Sequence, residues 1–306
     1  MNDYKITLVT AFFPINRESW KGFERSNKKY LDYFKFWARI KNDLIIYTDK
    51  KSSEYIKKVR DDFGRKNTKV IIIDDWTKID EELYQSNKNA LHNKLSIDFR
   101  LKPNNPESWN SDYNFMMILK EWCIMDAVKK QYAKGMIAWI DFGFNHGGEY
   151  YTNSEEFDYE WQYNFSNKIH LFTVNTLDDL PIFEICRRMN TYIQGDMVVA
   201  PANLWIELWN LVRENMIALN KVGLSDDDQT LLQMSYLQKK EIFELHTSKW
   251  FSELNDYGNK KLTIKQEEVK KFQKLRGIKR KLQHRKEIRE YCRKWYNILK
   301  DEEMKG

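Results

Sequence analysis

The chain has 306 residues, 42% hydrophobic and 31% charged, with a formal net charge of +6, which describes a folded protein with a sizeable core and excludes a disordered one. No run approaches the ~18 apolar residues of a membrane span, the N-terminus lacks the basic-then-apolar layout of a signal peptide, and Cys123, Cys186 and Cys292 form no CxxC pair, which points to a reducing, cytoplasmic setting. Residues 260–306 hold 17 Lys and Arg against 7 Asp and Glu, leaving 34 against 38 in residues 1–259, so the basic balance belongs to the C-terminal tail and not to a nucleic-acid-binding body.

Three short runs rich in β-branched residues, 5–13, 44–48 and 69–74, read as buried strands, with helices over 23–40 and 53–63 between them. That alternation predicts parallel strands with right-handed crossovers, within an α/β fold whose Rossmann-type mixed sheet is flanked by helices. A long helix over 111–131 follows Pro103 and Pro106, starts at Asn110 or Ser111, and leads into a strand over 136–142. Strands at 170–174 and 192–200 come next, then a helix over 202–220, a helix after Ser225-Asp226-Asp227-Asp228, and a last strand through 242–246. Pro and Gly are too scarce to form a linker in the body, so the expected division is a catalytic domain over 1–258 and a basic amphipathic helical tail over 259–306.

No GxGxxG follows the first strand, and neither a GxxxxGK[ST] nor a GxSxG motif occurs. What remains is carboxylates at element ends. Ligands of open α/β sheets bind beyond the carboxyl ends of strands, where Asp49, Asp74 and Asp141 fall. Asp141 leaves a buried strand at a glycine-containing turn (AWIDFG). A carboxylate there either meets a divalent cation, Mn²⁺ or Mg²⁺, that holds a diphosphate, or caps the turn through nearby N–H groups. Gln194-Gly195-Asp196 breaks an apolar strand with a glycine, which marks close approach by a ligand or backbone, or a β-bulge. At Ser225-Asp226-Asp227-Asp228-Gln229 one acid serves as a helix N-cap, and three exceed what capping requires.

The opening TLVTAFF with Arg17 behind it, the PESW of 106–109, and the helix carrying Tyr113 and Lys120 before AWIDFG resemble the HtrL/YibB (WlaTC) family, bacterial proteins tied to lipopolysaccharide, lipooligosaccharide and capsule synthesis. That family resembles GT-A glycosyltransferases, whose DxD motif holds a metal and the donor diphosphate. The resemblance implies a nucleotide-sugar donor, UDP-linked by analogy, with galactose in either ring form a candidate sugar, and a saccharide acceptor. Asp141 falls at the first Asp of the motif, and Gly143 takes the place of the second. His246 falls where GT-A enzymes supply another metal ligand, and His146 is a lesser candidate. Thr10, Phe12, Phe13, Arg17, Tyr47, Asp49 and Lys120 are assigned to the donor: Phe12, Phe13 or Tyr47 for base stacking, Arg17 and Lys120 for the leaving group's charge. Gly195, Asp196 and Gln229 are assigned to the sugar and acceptor, and Asp227 or Asp228 to the catalytic base.

In the tail, Phe272, Leu275, Ile278 and Leu282, then Ile288, Tyr291, Trp295 and Ile298, recur at helical spacing amid Lys and Arg. Such a helix either lies on anionic lipid headgroups, which suits a lipid-linked acceptor and a peripheral place on the inner face of the cytoplasmic membrane, or packs on its own domain. Two other classes stand beside the enzyme: a non-catalytic carbohydrate- or partner-binding protein on the same scaffold, kept open by Gly143, and a nucleic-acid-binding protein that uses the tail.

Overall fold

The computed structural model describes residues 4–177, 179–265 and, towards the C-terminus, 285–286, 288–290, 292–297 and 300. In chain order the elements are β1 (Ile6–Phe12), α1 (Asn27–Trp37), β2 (Leu44–Thr48), α2 (Lys50–Asp62), β3 (Thr68–Ile72), α3 (Glu81–Ala90), α4 (Lys94–Asp98), α5 (Pro106–Trp109), α6 (Ser111–Lys129), β4 (Met136–Ile140), β5 (Ile169–Thr173), α7 (Ile182–Arg188), β6 (Ile193–Pro201), α8 (Ala202–Lys221), α9 (Asp228–Gln238), β7 (Phe243–Thr247) and α10 (Glu253–Asp256). The strands form one seven-stranded sheet in the order β3-β2-β1-β4-β6-β5-β7. Pairing is parallel from β3 through β4 and between β5 and β7, while β6 runs antiparallel to both of its neighbours. The α/β class and the mixed, helix-flanked sheet expected from the sequence are therefore present, with β6 as the antiparallel strand.

Both faces of the sheet are buried, and the period-2 alternation of a strand divides its residues between two cores. Val9, Ile45 and Tyr47 face the core built with α3, α6, α8 and α9, whereas Leu8, Leu44 and Ile46 face the one that holds Phe34 and Trp37 of α1. Helix starts follow their caps. Asn110 caps α6 by accepting from Tyr113 N (3.0 Å), and Ser26 caps α1 by accepting from Lys29 N (3.2 Å). The first helix therefore begins at Asn27 and not at residue 23, which frees Arg25 to sit on a loop. Asp49 caps α2 by accepting from Ser52 N at 3.0 Å, so that helix starts before residue 53.

Packing of the body continues beyond residue 258. Asn255 Nδ2 donates to Leu262 O at 2.9 Å, Leu262 is buried, and Ile264 bridges to Tyr151. Phe272, Leu275, Ile278, Leu282, Tyr291 and Ile298 of the expected amphipathic helix lie outside the described residues. Residues 292–297 are helical, and Lys294 Nζ donates to the Asp98 carboxylate of α4. Among the described residues no helix is long and apolar enough to cross a membrane.

Candidate functional site

β1 leads through β2 and β3 towards one edge of the sheet, and β4 returns to the other side of β1. The carboxyl ends of β1 and β4 thus meet at the topological switch point, where open α/β sheets leave a crevice. A cleft of about 470 Å³ opens there, lined by Phe12 and Phe13 at the end of β1, Trp139 of β4 with Asp141 and Phe142 just after it, and Asp196 from β6. Arg17, Arg25, Tyr30, Glu149, Gln229 and Phe251 close its sides.

Beneath the cleft sits one buried ammonium. Lys120 of α6 donates to Gly195 O (2.7 Å) and Asp228 Oδ2 (2.8 Å) and ion-pairs with Asp141 Oδ1 (3.0 Å). An ammonium has three protons, and these partners take all three. Burial opposes its charge, but the Asp141 and Asp228 carboxylates outweigh that and raise its pKa well above the ordinary lysine value. Lys120 therefore contributes charge to the site and has no free proton for a phosphate.

Carboxylates outnumber that cation. Asp196 is buried, and neither carboxylate oxygen has a hydrogen-bond partner in the structure. Burial first, and the Asp141 charge second, push its pKa up to about 8. Glu121, one residue after Lys120, is also pushed up to about 8, by burial and then by Asp228. Asp141 accepts from Trp139 Nε1 at 2.7 Å, and its side chain is 35% exposed, so it is open to the cleft where Asp196 and Lys120 are buried. Two buried or part-buried carboxylates, one with both oxygens unpartnered, form a donor set of the hard oxygen type that suits Mg²⁺ or Mn²⁺.

The same cleft also carries positive charge, on an aromatic mount. Arg17 donates through Nε to Phe23 O (3.2 Å) and through Nη1 to Tyr30 Oη (2.9 Å). Its guanidinium lies 5.4 Å from the Trp20 ring centre and 5.7 Å from that of Tyr113. Trp109 of the PESW segment packs edge-on against Trp20 at 5.7 Å, which gives that motif a positioning role. Arg25 Nη1 donates to His146 Nε2 (3.2 Å), since a guanidinium cannot accept, so His146 Nδ1 carries the proton that goes to Glu149 Oε2 (2.8 Å). Asn145 and His146 hold φ of 59° and 43°, and Phe251 holds 66°. Left-handed backbone of this kind at non-glycine positions clusters at functional sites.

Asp141, Asp196, Phe12, Phe13, Arg17, Lys120 and Gln229 all line this cleft. The remaining sequence-assigned residues lie elsewhere. Tyr47 is fully buried in the core beneath α6 and donates to Asp126 Oδ2 (2.8 Å), so no base can stack on it. Thr10 is buried within β1, and Asp49 serves as the α2 cap. Asp227 caps α9 by accepting from Gln229 N (3.2 Å), and Asp228 is held by Lys120, so neither lines the cleft. His246 sits on β7 with β5 and β6 between it and β4, roughly 14 Å across the sheet at the usual strand spacing, too far to share an ion with Asp141. The close approach at Gly195 comes from within the protein, since a Cβ there would lie 2.1 Å from Asp228 Oδ2. Gly195→Ala is expected to push that carboxylate off Lys120 and lower stability by about 3 kcal/mol, read as a drop in Tm.

Sequence reasoning missed Arg25, Tyr30, Glu149 and Phe251, which reach the cleft from loops and from α1. It also missed Arg100, which is buried, donates to Cys186 O (2.7 Å) and Asp226 Oδ2 (3.0 Å), and anchors the acidic segment ahead of α9. The positive φ run at 145–148 leaves a partial trace in the sequence as Asn145-His146-Gly147-Gly148.

Residues 4–257 match the family described as "Bacterial protein of unknown function (HtrL_YibB)". The chain belongs to the HtrL/YibB family. It is 29% identical to Protein HtrL of Escherichia coli (strain K12), over 87% of this chain and 97% of that protein. It is also similar to the crystal structure of mouse xyloside xylosyltransferase 1 in its apo form, at a TM-score of 0.42 and 14% identity, over 79% of this chain and 84% of that one. The matched HtrL/YibB region takes in all the residues that line the cleft and stops before the basic tail.

Proposed function

We propose that this HtrL/YibB protein is a glycosyltransferase that moves a sugar from a nucleotide-sugar, UDP-linked, to a lipopolysaccharide, lipooligosaccharide or capsule acceptor. The observation that carries the reading is that Asp141 and the unpartnered Asp196 line one cleft with Arg17 and Arg25. The carboxylates suit a divalent cation and the guanidiniums an anion, and a cation-bound nucleoside diphosphate presents both. Asp141 and Asp196 would hold the cation, which when bound acts as a Lewis acid on the diphosphate leaving group. Arg17, fixed by Tyr30 and the Trp20–Tyr113 mount, takes the charge that develops on the departing phosphates. Phe12 and Phe13 offer apolar faces to the base and sugar.

Direct displacement at the anomeric carbon also needs a base for the acceptor hydroxyl. With Asp141 and Asp196 committed to the cation, Glu149 is the remaining carboxylate among the cleft residues, and His146 holds it in place at 2.8 Å. This moves the base from Asp227 or Asp228 to Glu149 and leaves those two acids to position Lys120 and α9. A tail on anionic lipid would bring the cleft to a lipid-linked acceptor, and the test is co-sedimentation of the whole chain with anionic vesicles, which neutral vesicles should not support.

A second reading rests on the Lys120–Asp141 pair. The ammonium already supplies positive charge at 3.0 Å from Asp141, so a metal-independent nucleotide site on the same residues is self-consistent. Calorimetric titration with UDP separates the two. Binding that requires Mn²⁺ supports the cation-dependent transferase and directs a screen of UDP-sugars for transfer. Equal binding in EDTA favours the Lys120 version, and no binding in either condition sinks the UDP assignment.

Asp196 also predicts a pH dependence. Its folded pKa of about 8 lies above the ordinary carboxylate value, so its contribution to stability is complete below the unfolded pKa of about 4 and is lost as pH rises to about 8. Asp196→Asn removes that loss. The Tm of the variant minus that of the wild type is expected to grow from pH 4 to pH 8 and then level, and a difference that stays flat with pH would show that Asp196 ionises normally. Cation affinity in the wild type is expected to rise over the same range, because the cation competes with the proton.

A further inference from the structure

At the far edge of the sheet from β3, three ligating side chains converge away from the cleft. β5 and β7 pair in parallel with His170 opposite Glu244 and Phe172 opposite His246. Glu244 and His246 are two apart on one strand and so share a face with His170. One ligand atom from each of the three lies within 4.8 Å of the others. His170 Nδ1 and His246 Nε2 are 2.8 Å apart, with Glu244 Oε2 3.9 Å from the first and Glu244 Oε1 3.9 Å from the second.

The surrounding contacts orient these atoms inward. His170 Nε2 donates to Ser166 O (3.0 Å), because a carbonyl only accepts, and this fixes the tautomer and leaves a lone pair on Nδ1 facing the other two groups. The Ser166 hydroxyl donates to Glu244 Oε2 at 2.7 Å. Ring nitrogens and carboxylates steered through their outer atoms by a carbonyl and a hydroxyl are the arrangement that metal-ligating residues require. Phe165 packs 4.8 Å from the His170 ring and Tyr257 packs 4.6 Å from the His246 ring, which gives the group apolar walls. His170 is buried while the Glu244 side chain is 44% exposed, so the group is open to solvent on one side.

We infer that His170, Glu244 and His246 form a binding site for a first-row transition-metal ion of the Zn²⁺ class, separate from the cleft. Two imidazoles and one carboxylate match the ligand preference of Zn²⁺ and leave a fourth position to water. In the metal-free protein the two imidazoles share a hydrogen bond. On binding, His246 loses its Nε2 proton to solvent and takes one up on Nδ1, so both inward nitrogens present lone pairs with no net change in protonation. The ion joins the last strand to β5, and binding to the folded chain alone stabilises it by mass action.

The test uses Co²⁺ as a spectroscopic probe on the full chain at neutral pH, with Zn²⁺ as competitor. The expected result is one Co²⁺ per chain with a visible absorption band, loss of the band on adding Zn²⁺, and a rise in Tm with Zn²⁺. Glu244→Gln, on an exposed edge position that tolerates the change, and His246→Gln should each weaken binding at least tenfold, while Asp141→Asn leaves it unchanged. Ser166→Ala, which removes only the orienting hydroxyl, should weaken it by about tenfold. Absence of the band, or a band that survives His246→Gln and is lost in Cys292→Ser, overturns the assignment and leaves the two histidines as a hydrogen-bonded pair.

Discussion

Asp141→Asn is expected to weaken cation-dependent UDP binding by about 10–100-fold, the range for losing one charged ligating partner, while the fold survives. The reasoning is local. Asp141 is the exposed member of the carboxylate pair, and its replacement leaves the buried Asp196 as the one charged ligand of that pair. The amide keeps an oxygen that can accept from Trp139 Nε1, so the end of β4 has no reason to move. The buried salt bridge of Lys120 to Asp228 at 2.8 Å also remains. Calorimetry with Mn²⁺ and UDP reads the affinity, and circular dichroism confirms the fold. Unchanged binding in a folded variant removes Asp141 from the site and with it the cation-dependent transferase.

Lys120→Met is expected to have the largest effect on stability. It leaves Asp228 buried without its counter-charge beside Asp227 and Glu121, and breaking a buried pair from one side costs about 3–5 kcal/mol. For a chain of this size that corresponds to a fall in Tm on the order of 10 °C. The double variant Lys120→Met/Asp228→Asn should recover part of the loss, because the uncompensated charge goes while the shape stays, and a double-mutant cycle measures the coupling. The deficit of the single variant should shrink at low pH as the stranded carboxylates protonate. A Lys120→Met protein with wild-type Tm at neutral pH would mean that the buried acids are neutral without the ammonium.

Gly195 links these two predictions to a single piece of geometry. Asp228 can reach Lys120 because β6 offers no side chain at the point of contact, and Lys120 in turn reaches Asp141 and the Gly195 carbonyl. One lysine therefore ties α6, β4, β6 and α9 together beneath the cleft. The acids of the Asp226-Asp227-Asp228 run have separate tasks: Asp226 pairs with Arg100, Asp227 caps the helix, and Asp228 completes the lysine clamp. That division explains why three acids stand together where one cap would do.

The local properties of the chain were readable from its residues. Short apolar runs rich in β-branched residues marked β1, β2 and β4, a cap at Asn110 or Ser111 and another among the acids of 226–228 marked helix starts, and the escape of Asp141 from a buried strand marked a cleft residue, because each depends on neighbours within a few positions. The WIDFG and PESW segments carried the family, since a short motif keeps its signature whatever surrounds it. Residue type alone could not say which face of which strand a side chain occupies once the sheet assembles. Tyr47 reads as a base-stacking aromatic and is core, and His246 reads as a ligand for Asp141 but stands three strand positions away beside His170. Arg25, Glu149 and Phe251 joined the cleft only through loops whose course is set by packing. Proximity between residues tens of positions apart is decided by burial and strand order, and those were settled only when β6 turned antiparallel and brought Asp196 beside Asp141.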